Sequence, residues 1–311
     1  MAGLNIVVAK DTSYESTIKK LSTEVDGLEY TLTSTKSTQE LLKLVSQNKI
    51  DCTIVDSNIF MINQRYYPEI SLSLVLSDRK NLAWILRHGD KSFKASLYKW
   101  LNHFERSGNM NELKDFYFSY VGIFDYYDTT IFYKHLKSRL PKYKKTFKKA
   151  AKKYEIPWLL LAAQSYQESH WNPNAKSHTG VRGMMMITQA TAKQLGVKNR
   201  MNPTQSIYGG AKYLRKLEKR LNNKIKGKSR WAFTLAAYNV GMGHIHDAQI
   251  LARKLNLNPY LWSDIKKVLP LLTQKKYYKK ALHGYARGDE PVKYVNAILH
   301  YVDIMRKKES E

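Results

Sequence analysis

The stretch Ala162-Ala163-Gln164-Ser165-Tyr166-Gln167-Glu168-Ser169-His170-Trp171-Asn172-Pro173 decides how the second half of the chain is read. The apolar run before Glu168 reads as a helix that delivers one carboxylic acid to its own C-terminal end. An acid held at the edge of an apolar wall is a candidate general acid, because burial disfavours the charged form and keeps a proton available near neutral pH. From Pro157, a residue suited to a first helical turn, the pattern is helix and loop through Met305. The preceding Tyr143, Phe147, Ala150, Ala151 and Tyr154 recur at helical spacing among lysines, which predicts an amphipathic helix with a solvated lysine face.

Upstream the pattern changes. Leu4 to Ala9, Tyr30 to Thr33, Cys52 to Val55, Ser71 to Leu76 and Leu82 to Leu86 are short β-branched or apolar runs with helical patterns such as Gln39 to Gln47 between them. That alternation predicts an α/β segment. Charge divides along the same line. Residues 1 to 120 hold 15 Lys+Arg against 14 Asp+Glu, leaving 37 against 12 of the totals of 52 and 26 for residues 121 to 311. A surface this basic concentrates polyanions, so nucleic acid, anionic lipid and an acidic cell-wall polymer are all admissible on charge alone. No recognition motif accompanies the scattered Lys and Arg, which disfavours nucleic acid.

Other classes are excluded more directly. The single cysteine, Cys52, lies in an apolar stretch and reads as a small buried hydrophobe, so there is no disulfide framework. His170 and His178 lack a third ligand at suitable spacing and read as surface histidines; no metal is expected. No stretch approaches the roughly 20 apolar residues of a membrane span. Met1-Ala2-Gly3-Leu4 enters a strand-like run with no export signal, which leads us to expect a longer natural chain.

Most glycosidases flank the scissile bond with two carboxylates. In the basic half only Glu168 has a motif around it, whereas Glu155, Glu218, Asp247, Asp264 and Asp303 stand in ordinary surface-helix or helix-end contexts. Scarcity of a partner favours substrate-assisted chemistry, in which an N-acetyl group of the substrate replaces the second carboxylate. Downstream come Ser177, Thr179, Gly180 and Gly183, the triplet Met184-Met185-Met186, Tyr238-Asn239 and Glu290-Pro291-Val292-Lys293-Tyr294-Val295. Taken singly each has a plainer reading. Tyr294 and Val295 fit a helical core stripe, and Asn239 before Val240-Gly241 fits a helix end.

Taken in order, these motifs resemble those of family 1 lytic transglycosylases, which have a lysozyme-like catalytic domain and cut peptidoglycan. The resemblance implies that Glu168 protonates the glycosidic oxygen between N-acetylmuramic acid and N-acetylglucosamine, then as a carboxylate takes the proton of the muramoyl C6 hydroxyl as a 1,6-anhydro ring closes. It further implies substrate contacts at Ser169, Ser177, Thr179, Gly183, Met184, Met185, Met186, Tyr238, Asn239 and Tyr294, without metal or organic cofactor. Where the family commonly reads Gly-Leu-Met-Gln this chain has Gly183-Met184-Met185-Met186, the form of a branch that joins a solute-binding domain to the transglycosylase domain.

Residues 3–120 resemble part of a family 3 solute-binding domain, with Asp51 to Asp56 as its strand region and Phe93 to Phe104 and Met110 to Tyr117 as its closing helices. The expected architecture is thus an α/β partial periplasmic-binding-protein-like lobe at 3–120, a connection at 121–140, and an all-α lysozyme-like domain at 141–308. The expected partners are peptidoglycan glycan strands, and a muropeptide or cell-wall peptide at the complete first domain. The expected location is the periplasm, with peripheral outer-membrane association. A goose-type lysozyme-like hydrolase and a non-catalytic cell-wall-binding sensor are the rival readings; product analysis separates them.

Overall fold

The computed structural model describes residues 3–77, 83–118 and 126–310. The chain divides into two compact units, Met1–Lys99 with Val121–Thr130, and Trp100–Tyr120 with Ile131–Glu311. Along it run β1 (Val7–Ala9), α1 (Ser13–Glu24), β2 (Thr31–Thr33), α2 (Thr38–Ser46), α3 (Ser57–Gln64), α4 (Lys91–Arg106), α5 (Asn109–Phe118) and α6 (Tyr126–Ser138). Then come α7 (Leu140–Tyr154), α8 (Trp158–Ser169), α9 (Gln189–Leu195), α10 (Pro203–Arg220), α11 (Gly227–Val240), α12 (Met242–Lys254), α13 (Trp262–Val268), α14 (Lys275–Tyr278) and α15 (Asp289–Ser310).

In the first unit β1 and β2 pair in parallel, Val8 opposite Leu32, with α1 as the crossover. Side chains alternate along the strand. Ile6 and Val8 pack with Ile18 of α1 and Leu28, while Ala9 packs with Leu41 of α2 and Ile50. Ser37 starts α2 through a reciprocal capping box, its hydroxyl accepting from the Glu40 amide as the Glu40 carboxylate accepts from the Ser37 amide.

The expected sheet is larger than the observed one. Cys52 reaches it only as a one-residue parallel bridge to Ile6. Ser71 to Leu76 form no ladder, nor do the described residues of Leu82 to Leu86, of which Leu82 lies outside the described set. An apolar, β-branched run states that a segment suits a pleated surface, but a strand exists only where a neighbour supplies the other half of the ladder. Leu72, Leu74 and Val75 are accordingly exposed, at 57%, 56% and 72%.

The second unit is built around α8. Seven consecutive residues, Leu160 to Tyr166, are buried, so this helix is covered on all sides. It packs against α7 and α15, and α11 packs against α10, α12 and α15. The apolar stripe of α7 (Phe147, Ala150, Ala151) is buried and its lysines face outward, as the sequence pattern predicts. α7 ends at Glu155 in the left-handed region, after which Pro157 takes the N-cap position of α8. His170 and Trp171 are also left-handed (φ 51° and 55°), and this turn folds the Trp171 indole back to donate to the Ala162 carbonyl at 2.9 Å. Phe132, Tyr166, Trp171 and Tyr301 pack edge to face or tilted, fixing the last turn of α8 from behind. Among the described residues no helix is long and apolar enough to cross a membrane.

Candidate active site

Glu168 lies in the last turn of α8 and is half-buried. Burial pushes its carboxyl up to about 7, against a smaller opposing pull from a hydrogen bond donated by Tyr294. No cation and no second carboxylate contributes to that shift among the described residues. The acid is therefore raised by desolvation and held back only in part by its phenol partner.

That phenol comes from α15. Tyr294 Oη donates to Glu168 Oε1 and accepts from Gln164 Nε2 at 3.2 Å. Gln164 and Glu168 are four residues apart on α8, hence on the same face. The chain of donors is directional. The Gln164 amide occupies a Tyr294 lone pair, so the phenol proton points to Oε1, and the acid's own proton belongs on Oε2, free for a substrate. Burial, then the charge of Glu168, pushes the Tyr294 and Tyr238 phenols well above their ordinary value, so both remain donors at physiological pH.

The opposite side of the site is a loop held by main-chain contacts. Ser165 and Ser169 hydroxyls both donate to the Met184 carbonyl, at 2.9 and 3.0 Å. Tyr238 Oη donates to the Met185 carbonyl at 2.8 Å, and the Met185 amide donates to Ser206 Oγ at 3.2 Å. Gly183 is required here. Its φ is +81°, and a Cβ would lie 1.8 Å from the Arg200 carbonyl oxygen. Gly210 of α10 makes room in turn for the Met185 side chain, which a Cβ would meet at 2.5 Å.

The structure thus brings Glu168, Ser169, Tyr238, Tyr294 and the backbone of Met184 and Met185 into one constellation. Some expected contacts take another form. The Met184 and Met185 side chains are fully enclosed, both at 0% exposure, and their carbonyls accept from Ser165, Ser169 and Tyr238, so these residues shape the wall from within through apolar bulk and backbone. The Ser169 hydroxyl is spent within the protein. Ser177 and Thr179 bond each other at 2.8 Å and Ser177 accepts from the Val181 amide, so they close their own turn rather than orient Glu168. Met186 is half-buried with φ 44°, and Asn239 is exposed at the end of α11. Gln164, Ser165 and Ser206, all fully buried, were not singled out by motif, although a glutamine four residues before the acid in an apolar run is a legible signal.

One half-buried acid in the last turn of a central helix, facing a tyrosine and a glycine-shaped loop, is an arrangement suited to giving and taking a proton. Residues 145–260 match the family model described as "Transglycosylase SLT domain". Over 306 residues, 98% of this chain, the sequence is 43% identical to a "Membrane-bound lytic murein transglycosylase F" of Pseudomonas fluorescens, and over 303 residues 46% identical to one of Shewanella halifaxensis. The chain spans 63% of the length of each of these relatives. A solved 70 kDa soluble lytic transglycosylase of Escherichia coli aligns at TM-score 0.40 and 24% identity, over 54% of this chain and 25% of that one.

Proposed function

We propose that the chain is a peptidoglycan lytic transglycosylase that cleaves the N-acetylmuramic acid to N-acetylglucosamine β-1,4 bond without water and leaves 1,6-anhydro-N-acetylmuramic acid ends. The observation that carries this reading is the isolation of Glu168: it is raised to about 7 by burial, and among the described residues only a phenol stands beside it. A second catalytic carboxylate, which two-carboxylate glycosidases hold roughly 5 to 10 Å from the first, would enter its electrostatics. A group that titrates near neutrality can both give and take a proton there.

In the forward step Glu168 delivers the Oε2 proton to the glycosidic oxygen while the muramoyl 2-acetamido oxygen attacks C1 and the bond to the leaving sugar breaks. Tyr294 stabilises the carboxylate that forms, its hydrogen bond to Oε1 strengthening as charge develops. Glu168 then takes the C6 hydroxyl proton as that oxygen closes on C1 and displaces the acetamido oxygen. Ser169, Ser177, Thr179, Gly183, Met184, Met185, Met186, Tyr238 and Asn239 line or support the sugar-binding wall, the buried ones through backbone.

The periplasm is the compartment where such a substrate occurs, and the relatives named membrane-bound support a membrane-associated setting. The first unit, with its parallel β-α-β start, serves in this reading as part of a solute-binding lobe that takes a muropeptide. Mass spectrometry of purified sacculi after digestion tests the central claim. Anhydro ends, one water lighter than hydrolytic ends, are expected; reducing muramic acid ends alone would establish a goose-type hydrolase.

A further inference from the structure

Between Glu168 and Glu218 the chain has eight Lys and Arg and no Asp or Glu. Two of these cations are placed together by the loop that walls the site. Gly183 donates to the Ala175 carbonyl at 2.9 Å and Ser177 to the Val181 carbonyl at 3.1 Å, which makes Lys176 and Arg182 directly opposed partners in an antiparallel bridge. With the hydrogen bonds on either side of them, they are a non-hydrogen-bonded pair. In that geometry the Cα atoms lie about 4.5 Å apart and the side chains share a face. Like charges set opposite one another across a ribbon are destabilising. Both side chains are exposed, and neither joins an ion pair among the described residues.

The ribbon is braced where it carries this pair. Arg200, from the connection after α9, donates through Nη1 to the Gly180 and Ile187 carbonyls, both at 2.9 Å, so this cation is spent on holding the loop's shape. Two residues past Arg182, the Met184 carbonyl is gripped by Ser169, the neighbour of Glu168. A repulsive, unneutralised cation pair on a rigid ribbon joined to the catalytic helix is explained by an anion that neutralises it when substrate arrives. Resting on the function proposed above, we infer that Lys176 and Arg182 form a clamp for a carboxylate carried on the lactyl arm of the muramoyl residue. The carboxylate belongs either to that arm itself in a peptide-free strand or to the stem peptide. These are specificity-determining residues, separate from the proton transfer at Glu168.

The test compares wild type with Lys176→Gln/Arg182→Gln on four substrates: intact glycan strands, strands stripped of peptide by an amidase, and each of these after carbodiimide amidation of its carboxylates. Exposed ion pairs are worth up to ~1 kcal/mol each, so KM on charged strands is expected to rise about fivefold or more, with the rise absent on amidated strands. A rise confined to intact strands assigns the stem peptide, a rise confined to stripped strands assigns the lactyl carboxylate, and a rise on both shows that the clamp takes either carboxylate. Arg182→Lys, which keeps the charge, is expected to retain most of the wild-type KM, and Arg182→Glu to exceed the effect of the double glutamine variant. An equal rise on charged and amidated strands, no rise at all, or a loss in Arg182→Lys equal to that in the glutamine variant would overturn the clamp. Failure of wild type to yield anhydro ends from any substrate would instead reject the transglycosylase reading.

Discussion

Glu168 at the end of α8 and Glu218 near the end of α10 are both acids on helices of the same unit, and both are substantially withdrawn from solvent. Their surroundings differ in one respect. Glu218 is gripped by Arg230 Nε and, at 2.9 Å, by Arg215 Nη1, while Arg230 Nη2 also reaches its carbonyl. Among the described residues Glu168 has only the Tyr294 phenol. Guanidinium partners hold a carboxylate in place through paired hydrogen bonds and charge, whereas burial beside a neutral donor raises the carboxyl pKa and leaves its proton available. Burial without a countercharge, rather than burial itself, sets Glu168 apart from Glu218 and supports its proposed role.

The largest effect that can break this comparison is on turnover. Glu168→Gln is expected to lower kcat on sacculi by about 10² to 10⁴, since an amide cannot give and recover the proton. Glu218→Gln is expected to keep its activity per folded molecule and to lose stability by about 2 kcal/mol, because two guanidiniums lose their partner in a partly exposed network. Turnover and urea midpoints of the two variants check this; a reversal of the two phenotypes would show that the roles have been misassigned.

A second, smaller effect concerns stability and pH. Folded Glu168 titrates near 7 and its unfolded reference is 4.5, so between those values the folded state binds the extra proton. Stability of the wild type should then fall as pH rises from about 4.5 through about 7. Glu168→Gln has no such penalty. It should match wild type near pH 4 and exceed it above pH 7, by about 2 kcal/mol after allowance for the residue's partial exposure. Denaturant titrations at pH 4 and pH 8 read the difference, and a constant gap across that range would remove desolvation as the cause.

The smallest expected effect sharpens the comparison. The Tyr294 hydrogen bond lowers the Glu168 pKa, so Tyr294→Phe should move the alkaline fall of kcat/KM to higher pH and reduce kcat by about tenfold through loss of one charge-stabilising donor. An unshifted profile would mean that Tyr294 only packs.

Much of this site was legible in the residues themselves. The apolar run ending in Glu168, the glycines of the following loop and Tyr294 in its late motif each carry a local signal: helical periodicity, a left-handed turn, a polar group in an apolar stripe. The first unit was less legible because a strand is not a local object. Ser71 to Leu76 has a strand's composition and no ladder, as pairing depends on a neighbour that composition does not name.

The sequence by itself determined that one acid, and no motif-bearing second carboxylate, would stand at the end of a buried helix, because residue order along a helix dictates which face and which end a side chain occupies. Only the tertiary structure decided that Gln164, Tyr294 and Glu168 form a directional chain and that Met184 and Met185 serve the site through backbone. It also decided that Ser169 is spent on a carbonyl and that Lys176 faces Arg182. These are contacts between residues up to 130 positions apart, and their geometry is set by packing of α8 against α15 and the loop, which no local pattern encodes.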